Sequence, residues 1–406
     1  MRRRQFLSLA GLAGIPTLGP QLVFGSPAEK AASDRDLLIV IFQRGAADGL
    51  NLVVPYTEGP YFDARPTLAI GEPGTAGGAL DLDGFFGFHP QLSALLPLYE
   101  SGALGVVHAA GSPGDSRSHF DAQDFMEKGV LEKNVVADGW LNRYLAEVSG
   151  GTPETFSAVG FGNALPLSLR GPVPSVGVKQ LDDYALAAPE EWLPAIRENI
   201  TAMFDQQQSL DLVAGSILGS VDLLAAADPL SIPTENGAQY PDDTFGVQMS
   251  QLAKLIKADL GLEMAAVDIN GWDHHDRQVD ELGPLATSLA QGMAAFHADM
   301  GDAMSGITVI TMTEFGRRLA ENASEGTDHG HGSVMFAMGG GVNGGQVIAD
   351  WPGLQPQNLD RGDLDVTTDF RTVLSDMLIN RAGSSSVDQI FPDFDGPQSV
   401  GLFRSL

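Results

Sequence analysis

Four stretches of this sequence are rich in apolar residues, and they constrain the fold more than any other feature. They are residues 37–42 (LLIVIF), 103–110 (ALGVVHAA), 263–269 (EMAAVDI) and 307–311 (ITVIT). Runs without regular polar alternation are typical of parallel strands that are covered on both faces. Segments with apolar residues at helical spacing lie between them. The sequence therefore predicts an α/β fold, in which helices flank a central, mostly parallel sheet.

The fourth run leads into the most concentrated group of polar residues. Glu314 and Arg317 follow it, and a glycine-rich segment then carries His329 and His331. In open α/β sheets, binding groups collect beyond the carboxyl ends of the strands. Each of these residues could instead cap backbone groups in a turn or a helix. Two imidazoles so close together, downstream of a strand-end carboxylate, favour a metal site.

The first and third runs are followed by residues of the same chemistry. Arg44 and Asp48 come after the first run, and Asp273 and His275 come after the third. Acids are also common in turns and at helix starts, which gives Asp48 and Asp273 a second interpretation. Asp273 and His275 point to the same side if their segment is extended. We therefore expect a second pair of ligands at this edge of the sheet.

The second run is followed by a loop that ends in Ser118 and His119, where the next helix is predicted to begin. Ser118 suits the N-cap position of that helix. A helix N-terminus also presents free N–H groups to an anion. Ser118 thus has two interpretations, a cap or a nucleophile, and His119 is the nearby general base for the second.

Two weaker patterns complete the predicted elements. Residues 167–169 have the composition of a short strand. Residues 333–338 and 346–349 flank a glycine cluster and predict a β-hairpin. The cluster has neither the ending nor the following helix of a phosphate-binding loop, so we exclude that function for it.

The first 32 residues have the features of a twin-arginine export signal and leader. Arginines at 2–4 precede Phe6 and Leu7, and a mildly apolar, glycine-rich segment follows. That segment is too short to span a bilayer, so we expect no stable membrane insertion. Residues 33–406 are expected to form one domain in the periplasm or outside the cell, with the export machinery as a partner.

Composition narrows both the ligands and the partners. The chain has no cysteine, so a metal site must use imidazole, carboxylate or amide groups. Its formal net charge of -29 repels nucleic acid and anionic lipid. A free polyanionic substrate is repelled as well, unless a bound cation reverses the local potential.

The motifs together resemble a family of exported bacterial proteins known as domain of unknown function 1501. The resemblance extends over nearly the whole chain and rests on several segments in one order. They are RGAADGLN, GFHPQLSALLPLYESGALGVVHA, SRSHFDAQDFMEKG, GWDHHDRQ, TEFGRR, GTDHGHGS and DWPGL.

That family is in turn similar to the alkaline phosphatase and sulfatase superfamily, which implies a two-metal site at the strand ends. The implied roles are Asp48 as the acid after the first strand, Ser118 or else Ser116 as nucleophile, Asp273 and His275 as the middle ligand pair, Glu314 as the later acid, and His329 or His331 as the last ligand. The superfamily usually has His directly after the later acid, whereas this chain has Phe315. This departure puts the second metal in doubt.

The resemblance and the residues lead to one main hypothesis, an exported metal-dependent hydrolase of phosphate or sulfate esters. One or two zinc, manganese or calcium ions would be bound, and Arg44 or Arg317 would hold the anion. A non-catalytic binding or assembly protein with one structural ion is the alternative. An oxygen-using enzyme with two His and one carboxylate also fits the ligand types. For the main hypothesis we expect all these side chains to line one pocket and to have shifted pKa values.

Overall fold

The apolar runs form the strands of a large sheet in the computed structural model, which describes residues 35–133, 135–149, 155–186, 188–204 and 208–406. The export signal and leader predicted over residues 1–32 lie outside the described residues. The strands are β1 Leu37–Arg44, β2 Val53–Val54, β3 Leu80–Asp81, β4 Gly87–Phe88, β5 Leu104–Gly111, β6 Ala158–Phe161, β7 Val176–Val178, β8 Met264–Asn270, β9 Ile307–Met312, β10 Arg317–Glu321, β11 Thr327–His329, β12 Ser333–Gly339, β13 Val347–Ile348, β14 Leu359–Asp360, β15 Asp363–Leu364 and β16 Thr368–Asp369.

Helices connect these strands and cover the sheet. They are α1 Gly49–Leu52, α2 Gly59–Ala64, α3 Leu96–Glu100, α4 His119–Lys128, α5 Trp140–Val148, α6 Leu193–Phe204, α7 Gln208–Ala227, α8 Thr244–Lys257, α9 Gln278–Met300, α10 Phe370–Asn380 and α11 Val387–Ile390. Within the described part of the chain, no helix has both the length and the apolar character that a bilayer crossing requires.

The central sheet has the strand order β13-β5-β12-β9-β1-β8-β6-β7, with β16 also paired to β5. Strands β9, β1, β8, β6 and β7 are parallel to one another. Strand β12 is antiparallel to both of its neighbours, β9 and β5, so β5 runs in the same direction as β9. The prediction of a mostly parallel central sheet flanked by helices is therefore confirmed.

Strand β1 shows why the apolar runs lack alternation. Ile39 and Ile41 belong to a buried cluster that includes residues of α8 and α9. Leu38 and Val40 lie on the other face, in a cluster that includes residues of α5 and α10. Burying each such side chain contributes about 2 kcal/mol, so apolar residues are favoured at successive positions.

Parallel strands bring their carboxyl ends to one edge of the sheet, and β12 begins at that edge because it runs the other way. Its first residue, Ser333, is paired with Ala110 near the end of β5. A small sheet of order β11-β10-β15-β14 adjoins this edge. The loops after β1, β5, β8 and β9 and the chain that enters β12 therefore converge there.

Two of the weaker predictions are wrong. Residues Leu167–Leu169 form a 3-10 turn, which begins directly after Pro166 and does not join the sheet. Strands β12 and β13 do not pair as a hairpin, because β12 lies between β5 and β9 whereas β13 is a parallel neighbour on the far side of β5. The glycines between them carry the chain around the end of β5, where a Cβ on Gly344 would lie 2.4 Å from the carbonyl oxygen of Leu104.

Candidate metal centre

Four side chains from three separate segments meet at the carboxyl edge. His119 is the first residue of α4, Asp273 and His275 follow β8, and His329 is the last residue of β11. The pairing of Arg317 with His329 between β10 and β11 holds the last imidazole over the strand ends. Part of the glycine-rich segment that carries His329 is thus a strand.

The ligand atoms of His119, Asp273 and His329 surround a common point, and His275 contacts His329 and Asp273 from the outer side. His329 Nε2 lies 2.9 Å from His119 Nε2 and 2.9 Å from His275 Nε2. Asp273 Oδ2 lies 3.3 Å from His119 Nε2, and Asp273 Oδ1 lies 3.1 Å from His275 Nε2. The nearest atoms of His119, Asp273 and His329 all lie within 4.8 Å of one another, which is compatible with one metal ion.

The other nitrogen of each ring has a hydrogen-bond acceptor of its own. Each Nδ1 lies beside an oxygen that can only accept a hydrogen bond, so a neutral ring with its proton on Nδ1 satisfies that contact and leaves its Nε2 lone pair for a cation. These acceptors are Glu314 Oε1 for His119 at 2.8 Å, Asp328 Oδ1 for His275 at 3.1 Å and the carbonyl of Arg117 for His329 at 2.8 Å.

In these tautomers the Nε2 lone pair of His329 faces those of His119 and His275 beside the Asp273 carboxylate, and such lone pairs repel one another unless a cation lies among them. If one ring carried a second proton, on Nε2, that N–H could donate to at most two of the neighbouring nitrogen and oxygen atoms. A divalent ion accepts all of the lone pairs together, and a ligating imidazole typically donates its other N–H to a carboxylate or carbonyl, as here. The donor set therefore fits a metal ion.

Asp273 also contacts a buried guanidinium. Arg317 Nη2 donates to Asp273 Oδ1 at 2.5 Å, and the remaining N–H groups of Arg317 donate to backbone carbonyls. Partial burial opposes ionisation of Asp273, but the hydrogen bond and charge of Arg317 outweigh it and lower its pKa. Asp273 thus stays ionised, with its second oxygen free to bind a cation.

Glu314 lies one contact away from the centre and holds His119 in place. Its Oε1 accepts hydrogen bonds from His119 Nδ1, from Gln123 Nε2 at 2.8 Å and from the backbone N–H of Gly45 at 2.9 Å. Burial opposes ionisation of this carboxyl, yet these donors together lower its pKa. The sequence-based prediction had Glu314 as a ligand, whereas the geometry makes it a support for a ligand.

Helix α4 carries this support on one face. His119, Gln123 and Glu127 lie at intervals of four residues and therefore share a face. Arg44 donates to Gln123 Oε1 at 3.2 Å and forms ion pairs with Glu127 at 3.1 Å and with Asp268 at 2.8 Å. Arg44, predicted to hold a substrate anion, is instead bound to two carboxylates of the protein.

The environment shifts the pKa values of two cluster imidazoles in opposite directions. The hydrogen bond from His119 to Glu314 is the largest effect on His119 and raises its pKa despite partial burial. Burial is the largest effect on His329 and lowers its pKa. A low pKa keeps His329 neutral and able to bind a cation, whereas a cation must displace a proton more often from His119.

Phe315 forms one wall of the cluster. Its ring centroid lies 5.0 Å from that of His119 and 5.0 Å from that of His329, and the side chain is buried. Position 315, directly after Glu314, therefore presents an apolar surface to two of the cluster imidazoles.

Three residues predicted for the site lie outside the cluster or make no contact with it. Asp48 is buried and accepts hydrogen bonds from Arg65 at 2.6 and 3.0 Å and from Gln278 at 2.5 Å. His331 contacts Asp360 at 2.8 Å and the carbonyl of Ser112 at 3.0 Å. Ser118 occupies the N-cap position of α4, and its side chain forms no capping hydrogen bond.

Sequence reasoning missed two kinds of residue. Gln123 could have been found, because it lies one helical turn after His119 on the same face. Arg65 and Gln278, which neutralise and enclose Asp48, come from a loop and a helix whose positions the local pattern does not reveal. His119 was predicted as a general base. In the structure its Nδ1 contacts Glu314 and its Nε2 contacts His329, so both ring nitrogens already have partners within the centre.

Several solved structures are similar to this chain over most of its length at low sequence identity. The C-terminal periplasmic domain of EcEptC from Escherichia coli, solved as a complex with Zn, is 8% identical, with 77% of this chain and 74% of that chain covered and a TM-score of 0.34. BT1596, a 2-O GAG sulfatase, is 11% identical, with coverage of 76% and 65% and a TM-score of 0.31. Alkaline phosphatase from the Antarctic bacterium TAB5 is 10% identical, with coverage of 75% and 92% and a TM-score of 0.31.

Sequence comparison identifies the family. No curated protein matches the chain. The family described as "Protein of unknown function (DUF1501)" matches residues 102–382, which include His119, Asp273, His275 and His329. The chain is a member of this family, as the motifs of its sequence indicated.

Proposed function

We propose that this protein is an exported, metal-dependent hydrolase of phosphate or sulfate esters. One observation carries the proposal: the Nε2 atoms of His119 and His329 and the Asp273 carboxylate lie within reach of one ion, with His275 Nε2 beside His329 and each Nδ1 next to an acceptor. The ligands in this proposal are His119, Asp273, His329 and, on the outer side, His275.

The ligand types favour zinc over the other ions considered. Imidazole nitrogen suits zinc, whereas calcium takes oxygen ligands in larger number. Manganese is intermediate, because it accepts both carboxylate and imidazole. A bound divalent ion polarises an ester oxygen and lowers the pKa of an attacking hydroxyl. The protein's own residues supply the rest: Arg317 fixes Asp273, and Glu314 fixes His119.

The cluster is accessible to solvent, which favours catalysis over a structural role. The side chains of Asp273 and His275 are 45% and 46% exposed. A structural ion is normally enclosed by four protein ligands, whereas a catalytic ion keeps a position for substrate. The competing function, a non-catalytic protein with a structural ion, is favoured only by the replacement of a superfamily histidine with Phe315.

The experiment uses the full chain, exported by a bacterial host. Metal content is measured by mass spectrometry, and turnover of p-nitrophenyl phosphate and p-nitrophenyl sulfate is followed before and after chelation. We expect about one ion per chain and turnover that is lost on chelation and restored by zinc. An ion that survives prolonged chelation, in a protein that hydrolyses neither ester, would establish the structural role instead.

The nucleophile is tested separately. Ser118 lies next to a ligand at the start of α4 but has no side-chain partner there, so water is the competing nucleophile. The variant Ser118→Ala is compared with Ser116→Ala, which removes the other candidate hydroxyl. Loss of turnover with retained metal in the first variant alone assigns attack to Ser118. Retained turnover in both variants assigns it to water.

Export is the remaining part of the proposal, and it rests on the sequence of residues 2–7. Replacing the arginines at 3 and 4 by lysine should stop export and leave the protein in the cytoplasm. Export that persists in this variant but fails when the general secretory route is blocked would contradict the twin-arginine route.

A further inference from the structure

The arginines around the metal centre are already paired with the protein's own carboxylates. In the described segments that form the centre, each arginine has at least one such partner. The pairs are Arg44 with Glu127 and Asp268, Arg117 with Asp360 and Asp363, Arg277 with Glu281, Arg317 with Asp273, and Arg318 with Asp363. Arg117 Nη1 has no partner, but it is buried away from solvent.

A phosphoryl group with two negative charges is normally held by arginine forks or by a second metal ion. The exposed Arg277 and Arg318 are already paired with Glu281 and Asp363, and the guanidinium that contacts the cluster is enclosed. Arg317 is fully buried, and its N–H groups are bound to backbone carbonyls and to Asp273. Phe315 occupies the side of the cluster between His119 and His329, where a further ligand would be needed.

The acids near the centre reduce its positive potential further. Asp273, Glu314 and Asp328 contact the cluster imidazoles, and Arg317 is the guanidinium that contacts the cluster. Three carboxylates, one guanidinium and one divalent ion leave no net positive charge. Asp276, with 65% of its side chain exposed, lies at the rim 3.6 Å from Arg277, so this pair adds no net positive charge. Each additional negative charge on a substrate is therefore unfavourable here.

We propose that the centre acts on esters that carry a single negative charge, namely sulfate monoesters and phosphate diesters, in preference to doubly charged phosphate monoesters. This inference rests on the proposed hydrolase function and narrows its substrate class. The net charge of the substrate distinguishes the classes. Sulfate monoesters and phosphate diesters both carry one negative charge, although their central atoms are sulfur and phosphorus.

The first test compares substrates that share one leaving group. They are p-nitrophenyl phosphate, methyl p-nitrophenyl phosphate and p-nitrophenyl sulfate, with zinc-loaded protein at about pH 8, where the monoester carries two charges. Because intrinsic reactivities differ, each kcat/KM is divided by the uncatalysed rate constant. We expect the two singly charged esters to exceed the doubly charged one by at least about tenfold. A higher value for the monoester overturns the inference, whereas absence of turnover for all three overturns the hydrolase function itself.

The second test changes the charge of the protein. Asp276→Asn removes one rim charge without removing a residue that contacts the centre. Asp302→Asn removes one exposed charge from the 3-10 turn before β9, at the opposite edge of the sheet. Only Asp276→Asn should raise the relative rate of the monoester, by about twofold for a charge at about 10 Å in water. Equal effects of the two variants would overturn the electrostatic basis of the inference.

Discussion

Two carboxylates at the same edge of the sheet follow from one sequence pattern but lie in different environments. Asp48 follows β1 and Asp273 follows β8, and these strands are parallel neighbours. Each carboxylate contacts a buried arginine, Arg65 for Asp48 and Arg317 for Asp273. The side chain of Asp48 is 1% exposed, whereas that of Asp273 is 45% exposed.

The difference lies in how many oxygen positions fixed donors already occupy. Arg65 donates to both oxygens of Asp48, and Gln278 donates to one of them, so no position remains for a cation. Arg317 occupies only one oxygen of Asp273, and the surrounding imidazoles present lone pairs rather than protons. An acid at a strand end is thus a structural ion pair or a ligand according to its partners.

The largest expected effect separates the two carboxylates by stability. Asp48→Asn should lower the free energy of unfolding by about 3–5 kcal/mol, because it leaves the buried charge of Arg65 uncompensated. Asp273→Asn also removes the carboxylate partner of buried Arg317, but water reaches this position and the backbone carbonyls still accept from Arg317, so it should cost less, about 1–2 kcal/mol. Urea denaturation measures both. Equal losses would show that burial does not distinguish the two sites.

The second prediction separates two histidines that lie two residues apart. His329→Ala should weaken zinc binding by at least about 100-fold, because it removes a ligand from the centre. His331→Ala is the matched control: its ring contacts Asp360 and Ser112 instead, and zinc affinity should stay within about twofold. Titration calorimetry on the full chain measures both, and a larger effect of His331→Ala would refute this assignment of ligands.

The third prediction uses pH to probe the enclosed region around Asp48. Burial lowers the pKa of His108 to about 4, although the Val53 carbonyl and the charge of Asp48 partly oppose it. The unfolded chain therefore takes up this proton first as the pH falls from about 6.5. Stability is complete above that value and declines toward pH 4, by about 2 kcal/mol at pH 5.

The control for this pH effect is His108→Gln, which keeps a donor and an acceptor but cannot titrate. The unfolding free energy of this variant should depend less steeply on pH. The difference in slope corresponds to the uptake of up to one proton on unfolding. His89, whose pKa burial also lowers to about 4, accounts for a similar slope that remains in the variant. An unchanged slope in His108→Gln would contradict the neutral, buried state of that ring.

The smallest expected effect concerns Glu314. As a support for His119 rather than a ligand, Glu314→Gln should weaken zinc binding by about tenfold, the scale of an outer hydrogen bond. Glu321→Gln is the control, because Glu321 accepts hydrogen bonds from Thr67 and Leu68 away from the centre. A loss as large as that of His329→Ala would make Glu314 a direct ligand.

The fold was predictable where a pattern is local. The apolar runs identify β1, β5, β8 and β9, because burial on both faces requires apolar residues at successive positions. The position of β12 was not predictable in the same way. Its composition also suits a hairpin strand, and its place between β5 and β9 depends on partners distant in the sequence.

The site was predictable as a set of residue types at strand ends, but not as a set of roles. His119, Asp273, His275 and His329 were all selected from the sequence, and they meet in the structure. Their distinction from Asp48 depends on Arg65, which reaches Asp48 from the end of α2. Arg65 does not belong to the strand-end pattern that selects Asp48, so that pattern gives no sign of this partner.

The reversed direction of β12 has a consequence for how this protein can diversify. Residues 313–332 leave the sheet at the end of β9 and return at the same edge, so both ends of this excursion are anchored beside the centre. Its tip, at residues 323–325, is exposed and lies beyond the pairing of Glu321 with Thr327. Insertions at that tip would lengthen the segment while His329 and the sheet keep their places. We therefore expect length differences among members of the family to concentrate at this tip.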